Sequence, residues 1–357
     1  MNPQFPESTS GAAGPVSADA RPDNAVSDSQ RRRERAQAMI RRRQRWQMLG
    51  ALLSAAIFLA ALVALWHLAH EVDAAQLRDA LASASLRQIG LAALFTVISY
   101  SLLTGYDFLA LRQLGERIAY HITALASFTS YAVSFTLGFP VVTSGTVRYW
   151  IYSPKGLKAW KIASLTVIAG ITFWLGMGCV LAWSLLREAP ALSGLLYLRP
   201  SVIQLTGAGV LAVLIGYFVW VSLKRRAVIV RGWRLDLPGF RLSLGQTLLG
   251  AGDVCASAAV LFVLLPGGHG ISFETFLAIY VLACMLGIVS HSPGGLGVFE
   301  ATMLIALSQL SREGVLGAVL LFRLFYYLIP FVLALILLAL HGGWSRLNRK
   351  SARTRTS

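Results

Sequence analysis

Long apolar runs constrain this chain more than any other feature of its sequence. A helix needs about 20 apolar residues to cross the hydrocarbon core of a bilayer. Eight runs reach or approach that length, and we interpret each as a transmembrane helix: 47–69, 89–111, 119–139, 162–186, 202–223, 244–265, 273–290 and 315–340. No soluble domain is visible between them. The predicted fold class is therefore all-α, a polytopic α-helical membrane protein of about eight spans.

Composition and charge support lipid as the solvent of this chain. Charged residues make up 13% of it, about half the share of an ordinary soluble protein. The net charge of +16 could indicate nucleic-acid binding, but arginine and lysine gather at the ends of apolar runs, as anchoring beside anionic lipid requires. We therefore expect membrane phospholipid and no nucleic acid as partner. The cysteines Cys179, Cys255 and Cys284 lie inside apolar runs and are interpreted as packing residues.

Three regions follow from this pattern. Residues 1–45 are predicted to be a disordered, basic, cytoplasmic N-terminus, because they lack an apolar block and carry two arginine tracts. Residues 46–341 form the transmembrane domain, and residues 342–357 form a basic cytoplasmic tail. The first apolar run comes too late and is too long for a cleavable signal peptide, so we interpret it as a retained span.

The distribution of basic residues predicts the topology, with both termini in the cytoplasm of a bacterial inner membrane. Positive marks at 112–117 and at 155–161 both indicate the cytoplasmic side, yet one span separates them. Residues 140–153 must therefore return through the membrane as a broken or re-entrant segment. The same reasoning applied to the second half makes residues 298–310 a short half-helix packed inside the protein.

The two halves then match as an inverted repeat. Each contains a span with a carboxylate, Asp107 or Asp253, and a second span that ends at a proline- and glycine-containing junction, near Pro140 or Pro293. Inverted repeats with discontinuous helices are typical of alternating-access transporters.

The first motif is GFPVVTSGTVRYWIY, residues 138–152. If this segment re-enters the membrane, Arg148 is an intramembrane cation that needs an anionic partner, and a lipid phosphate fits the guanidinium fork. We include Arg148 and Tyr149 in the predicted substrate site. The alternative is an interfacial arginine that snorkels between Tyr149 and Trp150.

The second motif is HSPGGLGVFEATML, residues 291–304. Its helix breakers free backbone N–H groups at the start of the next helix, which is a favourable anion site: Pro293, Gly294, Gly295 and Gly297. Glu300 is interpreted as a counter-charge to a basic headgroup or to an internal arginine. Capping of the helix dipole is the alternative role.

The third motif is FRLFYYLIP, residues 322–330, in the last span. Arg323 lies too deep for easy snorkelling, Tyr327 follows within a turn, and Pro330 should kink the helix. A pair between Arg323 and Glu300 is one hypothesis, and structural pairing could by itself explain both residues. Asp253 lies near mid-span and joins the predicted substrate-binding set, whereas Asp107 lies nearer a helix end and ranks lower.

Motifs for covalent chemistry are absent from the sequence. It contains no Gly-x4-Gly-Lys-Ser/Thr phosphate loop, no zinc-binding pattern and no Gly-x-Ser-x-Gly elbow. We therefore predict no enzyme activity, no catalytic residues, no metal and no cofactor.

Residues 47–340, with SPGGLGVFEA, FRLFYYLIP and the Arg-Tyr-containing loop, resemble the transmembrane region of the lysylphosphatidylglycerol synthase/flippase family, the multiple peptide resistance factors. The resemblance implies a membrane domain that translocates aminoacylated phosphatidylglycerol, and thereby confers resistance to cationic peptides. The family's soluble aminoacyl-transferase domain does not follow residue 340 in this sequence. A separate aminoacyl-transferase or another lipid-modifying enzyme is therefore an expected partner.

The leading prediction is a flippase or transporter for an anionic or zwitterionic lipid. A membrane-embedded transferase, a small-solute secondary transporter and a non-catalytic partner protein remain alternatives, and a homo-oligomer remains open.

Overall fold

A computed structural model describes residues 74–137, 140–223, 227–230, 233–236, 238–290, 295 and 297–354. The first predicted span, 47–69, and the N-terminal region 1–45 lie outside this part of the chain. Pro293 and Gly294 of the predicted site lie outside it as well.

Helices make up most of the described chain. They are α1 (Ala74–Ser83), α2 (Leu86–Gln113), α3 (Tyr120–Leu137), α4 (Pro140–Tyr152), α5 (Ala159–Arg187), α6 (Ala189–Leu196), α7 (Pro200–Leu223), α8 (Phe240–Leu264), α9 (Phe273–Val289), α10 (Val298–Ala306), α11 (Arg312–Phe322) and α12 (Ile329–Thr354). A 3-10 turn, Ser153–Lys155, follows α4, and a π-helical segment, Arg323–Leu328, joins α11 to α12.

Three of these helices have a serine as their N-cap residue. The Ser85 hydroxyl accepts from the Gln88 amide at 3.2 Å, while the Gln88 side chain accepts from the Ser85 amide at 2.9 Å, which completes a capping box at α2. Ser272 and Ser311 accept from the third residue of α9 and α11 in the same way.

Five helical stretches in the described part are long and apolar enough to cross a membrane: Leu86–Gln113, Ala159–Arg187, Pro200–Leu223, Phe240–Leu264 and Arg312–Gly342. They correspond to five of the predicted spans. The predicted span 273–290 becomes the shorter apolar helix α9, and the predicted span 119–139 becomes α3, which is outside the five. The polytopic helical membrane fold is confirmed, and the number of spans stays a prediction.

One small β-hairpin departs from a purely helical chain. Strands β1 (Ala227–Val230) and β2 (Trp233–Asp236) pair antiparallel, with Ala227 opposite Asp236. The β-branched run Val228, Ile229, Val230 favours a strand over a helix in this polar connection between spans.

The two predicted broken segments form short helices. At 13 residues, α4 is about 20 Å long, and the nine residues of α10 reach about 14 Å. Both are shorter than the hydrocarbon core of about 30 Å. Neither can cross a bilayer alone, as the sequence analysis expected.

Packing neighbours repeat between the two halves. Helix α2 contacts α3 as α8 contacts α9, and α3 contacts α4 as α9 contacts α10. Helix α4 contacts α5 in the first half, and α10 contacts α11 in the second. In the same way, α3 contacts α12, and α9 contacts α5. These correspondences fit an internal repeat about the central α2–α8 pair, and the opposite membrane orientation of the halves stays a prediction.

Helices α5 and α8 approach each other closely at two glycines. A Cβ added to Gly176 would overlap the backbone of Gly250, and a Cβ on Gly250 would lie 2.6 Å from the Thr172 carbonyl oxygen. Glycine is required at both positions, because any side chain would force the two backbones apart.

Candidate functional site

The π-helical segment Arg323–Leu328 organises the candidate site. π-Turns inside α-helices are rare and are frequent at functional positions. Pro330 has no N–H for the Tyr326 carbonyl, which is its usual helical partner four residues earlier. The Tyr100 hydroxyl of α2 donates to that carbonyl at 3.1 Å instead. A proline near mid-span therefore fixes the last span to α2.

Arg323 and Glu300 form the ion pair that the sequence suggested. Arg323 Nε donates to Glu300 Oε1 at 2.5 Å, and a terminal guanidinium nitrogen pairs with the same oxygen. The guanidinium also lies over the Tyr327 ring, 5.4 Å from its centroid. The pair is not sealed, because the Glu300 side chain is 21% exposed and the Arg323 side chain 10%.

Glu300 also caps its own helix. Its Oε2 accepts from the Gly297 amide at 2.7 Å, so pairing and capping, the two roles considered for it, occur together. Gly295 and Gly297 have φ values of +69° and +82°, in the left-handed region that favours glycine. The Glu300 carboxylate thus accepts the hydrogen bond of a backbone amide that was predicted to bind an external anion.

Arg148 lies in a second, fully buried ion pair. Its Nε is 3.0 Å from Asp107 Oδ2, and its Nη2 is 2.7 Å from Asp107 Oδ1. The remaining nitrogen, Nη1, donates to the Ser144 hydroxyl at 2.9 Å, and Tyr152 donates to Asp107 Oδ2 at 3.0 Å. Arg148 is 1% exposed and Asp107 is 0% exposed. In this structure the anionic partner of Arg148 is the Asp107 carboxylate and not the lipid phosphate that the sequence suggested, and the alternative of a snorkelling arginine is wrong.

Asp253 lies in a third cluster that contains hydroxyl groups. Ser99 of α2 donates to Asp253 Oδ1, and Tyr106 donates to Oδ2 at 3.1 Å. The Ser99 hydroxyl is also 2.8 Å from that of Tyr326. Asp253 is 3% exposed, and in the described part of the chain no lysine, arginine or histidine forms an ion pair with it. This cluster and the Arg323–Glu300 pair share the π-helical segment.

Tyr149 lies apart from these clusters. Its side chain is 45% exposed on α4, whereas its neighbour Arg148 is buried. Of the predicted site residues that the structure describes, Gly297, Glu300, Arg323 and Tyr327 come together in one place, with Gly295 directly before them. Asp253 belongs to the adjacent cluster.

Sequence reasoning ranked Asp107 low and missed the hydroxyl partners of both buried carboxylates. A signal for one group was present. Ser144, Arg148 and Tyr152 are spaced four residues apart, which places them on one face of a helix. No comparable spacing joins Ser99 or Tyr326 to Asp253, because these residues come from different helices.

Comparison with known proteins shows the family of this chain. The family model described as the lysylphosphatidylglycerol synthase TM region matches residues 47–334. The chain belongs to that family. Its membership supports a membrane role connected with lipids.

The relatives of this chain differ in how much of their length the match covers. An uncharacterized Synechocystis protein, slr0712, is 34% identical over 235 residues, 66% of this chain and 73% of the relative. Inner membrane protein YbhN of Escherichia coli is 29% identical over 299 residues, 82% of this chain and 92% of the relative. The phosphatidylglycerol lysyltransferase of Staphylococcus epidermidis is 40% identical over 101 residues, which is 27% of this chain and 12% of that enzyme.

Proposed function

We propose that this protein moves the headgroup of a membrane phospholipid between the leaflets of the bacterial inner membrane. The observation that carries the proposal is the partly exposed Arg323–Glu300 pair at the start of an interrupted helix. Charged side chains at membrane depth are costly, and they mark substrate or ion pathways. Family membership supports a lipid rather than a soluble solute as the cargo.

The pair provides both charges that a zwitterionic headgroup needs. Arg323 can receive a phosphate through its guanidinium fork, and Glu300 can receive an ammonium group. The Tyr327 ring already faces the guanidinium and offers a cation–π surface to an ammonium group. Without lipid the two side chains neutralise each other. Exchange of this pair for the two groups of a headgroup leaves neither charge unpaired.

Arg148 has a different role in this proposal. All three of its guanidinium nitrogens are engaged by Asp107 and Ser144, so a phosphate could bind it only after that pair separates. In the described conformation Arg148 joins α4 to α2. Its predicted contact with the headgroup would require a second conformation of the return segment.

The proposed cargo is aminoacylated phosphatidylglycerol or a related anionic or zwitterionic lipid. Staphylococcal relatives named phosphatidylglycerol lysyltransferase match about a quarter of this chain. A separate aminoacyl-transferase or other lipid-modifying enzyme would then supply the substrate, and this chain would perform no covalent chemistry.

The test is lipid movement in proteoliposomes that contain the full chain. Tail-labelled phosphatidylglycerol and phosphatidylethanolamine are followed by quenching of the outer leaflet. For phosphatidylethanolamine, which carries both a phosphate and an ammonium group, Glu300→Gln and Arg323→Gln should each slow movement at least about tenfold, because loss of about 1.4 kcal/mol of headgroup binding at the barrier has that effect.

Glu116→Gln is the matched control. It removes one carboxylate from the Lys161–Glu116 pair, whose side chains are both 26% exposed and far from the π-helical segment in sequence. This variant should move lipid at the wild-type rate. Wild-type rates in Glu300→Gln and Arg323→Gln would contradict the site. Uptake of a small solute without lipid movement would favour a secondary transporter, and turnover of a labelled donor would favour a transferase.

A further inference from the structure

Asp253, which the sequence places in the predicted substrate-binding set, is a buried carboxylate outside the Arg323–Glu300 pair on which the proposed function rests. It lies at mid-span of α8 and is 3% exposed, and its carboxylate oxygens accept from Ser99 and Tyr106. Asp107, the other buried carboxylate among the described residues, is neutralised by Arg148. A buried carboxylate without a cation is more stable with a proton bound, since burial disfavours the charged form. Asp253 therefore differs from Asp107 in its chemistry.

We propose that Asp253 binds the proton that couples the proposed lipid movement to a proton gradient, through the hydroxyl chain Asp253–Ser99–Tyr326. This inference rests on the proposed function. It adds a driving ion and the residue that binds it.

The surroundings of Asp253 are suited to a proton rather than to a larger charge. Among the described residues, the titratable side chains that face it are Tyr100 and Tyr106 of α2, Tyr131 of α3, Tyr326 of the π-helical segment and Cys255 of α8 itself. From α5, Cys179 lies near Cys255, and from α9, Tyr280 lies near Ser257, whose hydroxyl donates to the Val254 carbonyl. From α7, Tyr217 bonds to Ser243, ten residues away on α8. The groups that donate to Asp253 are the neutral Ser99 and Tyr106, and α11, which also packs against α8, carries its charged residues Arg312 and Glu313 in its first turn.

Proton binding would reverse the direction of the hydroxyl chain. Ser99 has one hydrogen to donate, and when Asp253 is ionised that hydrogen goes to the carboxylate. Ser99 then accepts from the Tyr326 hydroxyl, 2.8 Å away. When Asp253 carries a proton, it donates to Ser99, and Ser99 donates to Tyr326. The Tyr326 hydrogen must then find another acceptor.

That change occurs in the π-helical segment, which also carries Arg323 of the Arg323–Glu300 pair. Tyr326 is three residues from Arg323 in the π-helical segment, and the Tyr326 carbonyl is held by Tyr100. A π-turn contains one residue more than a regular helical turn, so a displacement of the turn along the helix would change the hydrogen-bond register of the residues beside it, and its two positions would be two arrangements. Protonation of Asp253 would bias that choice and so alter the position of Arg323 relative to Glu300.

The test imposes a proton gradient on proteoliposomes of the full chain. If one proton moves with each lipid, one pH unit should shift the leaflet ratio of labelled phosphatidylglycerol by up to about tenfold at steady state. Asp253→Asn keeps the size and hydrogen bonding of the side chain but cannot ionise. It should still move lipid, with no response to the gradient. Glu116→Gln should respond like the wild type.

Ser99→Ala provides a second variant in case Asp253→Asn does not fold. It removes a donor to the ionised carboxylate, so the midpoint of the pH dependence should move to higher pH. An infrared carbonyl band of a protonated carboxylic acid, present in the wild type and lost in Asp253→Asn, should titrate with the same midpoint. This band is measured without any lipid movement.

The outcomes separate the two proposals. No lipid movement by the wild-type protein under any gradient overturns the proposed function. Lipid movement that ignores the proton gradient, that follows a sodium gradient at constant pH, or that keeps its proton response in Asp253→Asn overturns the inference about Asp253 alone.

Discussion

Two arginine–carboxylate pairs in the part of the chain that the structure describes use the same chemistry at different exposure. The Arg148–Asp107 pair is sealed, and every guanidinium nitrogen has a protein acceptor. The Arg323–Glu300 pair is partly exposed and lies between a π-helical segment and a helix that begins at glycines. Burial decides the difference. A sealed pair holds helices together, whereas an accessible pair can exchange its partners for a ligand of the same charges.

Breaking the sealed pair should have the largest effect on stability. Arg148→Met leaves Asp107 buried without its cation, and such a loss typically costs about 3–5 kcal/mol. We expect a large drop in the thermal unfolding temperature in detergent. The double variant Arg148→Met/Asp107→Leu should recover much of the loss, because it removes both charges. A double variant as unstable as the single one would contradict the assignment of a structural pair.

Gly297→Ala tests the backbone that presents Glu300. The φ of +82° at Gly297 costs an L-residue about 1–2 kcal/mol, so stability should fall by about that amount. Gly209→Ala on α7 is the matched control, since no neighbouring atom lies within 4 Å of an added Cβ and its φ is not in the left-handed region. Equal effects of the two substitutions on unfolding would argue against strain at Gly297.

Glu300→Gln should have the smallest effect on stability. Water reaches the Glu300 side chain, so the unpaired guanidinium keeps part of its solvation, and the loss of stability should stay well below the loss of about 3–5 kcal/mol expected for the sealed pair. We expect an unfolding temperature close to that of the wild type together with the loss of lipid movement described above. A loss of stability as large as that of Arg148→Met would mean that both pairs are structural, and the comparison between them would fail.

The predictable part of the site is the part that is local in sequence. Residues 291–304 showed that Glu300 lies in the first turn after glycines, and Arg323 is too deep in the last span to reach water easily. Their pairing was therefore a reasonable hypothesis. The partner of Arg148 was not predictable in this way, because Asp107 is 41 residues earlier in the chain. Asp107 also lies near the end of its predicted span, so it ranked below Asp253 as a candidate site residue.

The fold shows the same division. Run lengths and basic residues predicted the helical membrane class and the positions of both short helices, since hydrocarbon requires long apolar helices and satisfied backbone groups. The hairpin 227–236 was not predicted, because four-residue strands in a polar connection leave little periodic signal. The π-helical segment was also missed, since a change of hydrogen-bond register has no simple residue pattern.

The amino-acid sequence alone determined that this chain spans a membrane, and that it carries charged side chains within its apolar spans. The tertiary structure decided which of those charges are sealed in the interior and which are partly exposed. Helices α2, α4, α8 and the π-helical segment bring residues from distant parts of the chain to within hydrogen-bond distance. Whether a carboxylate there meets a guanidinium, as Asp107 does, or hydroxyl groups, as Asp253 does, depends on the packing of helices whose contacting residues lie 41 to 154 positions apart in sequence.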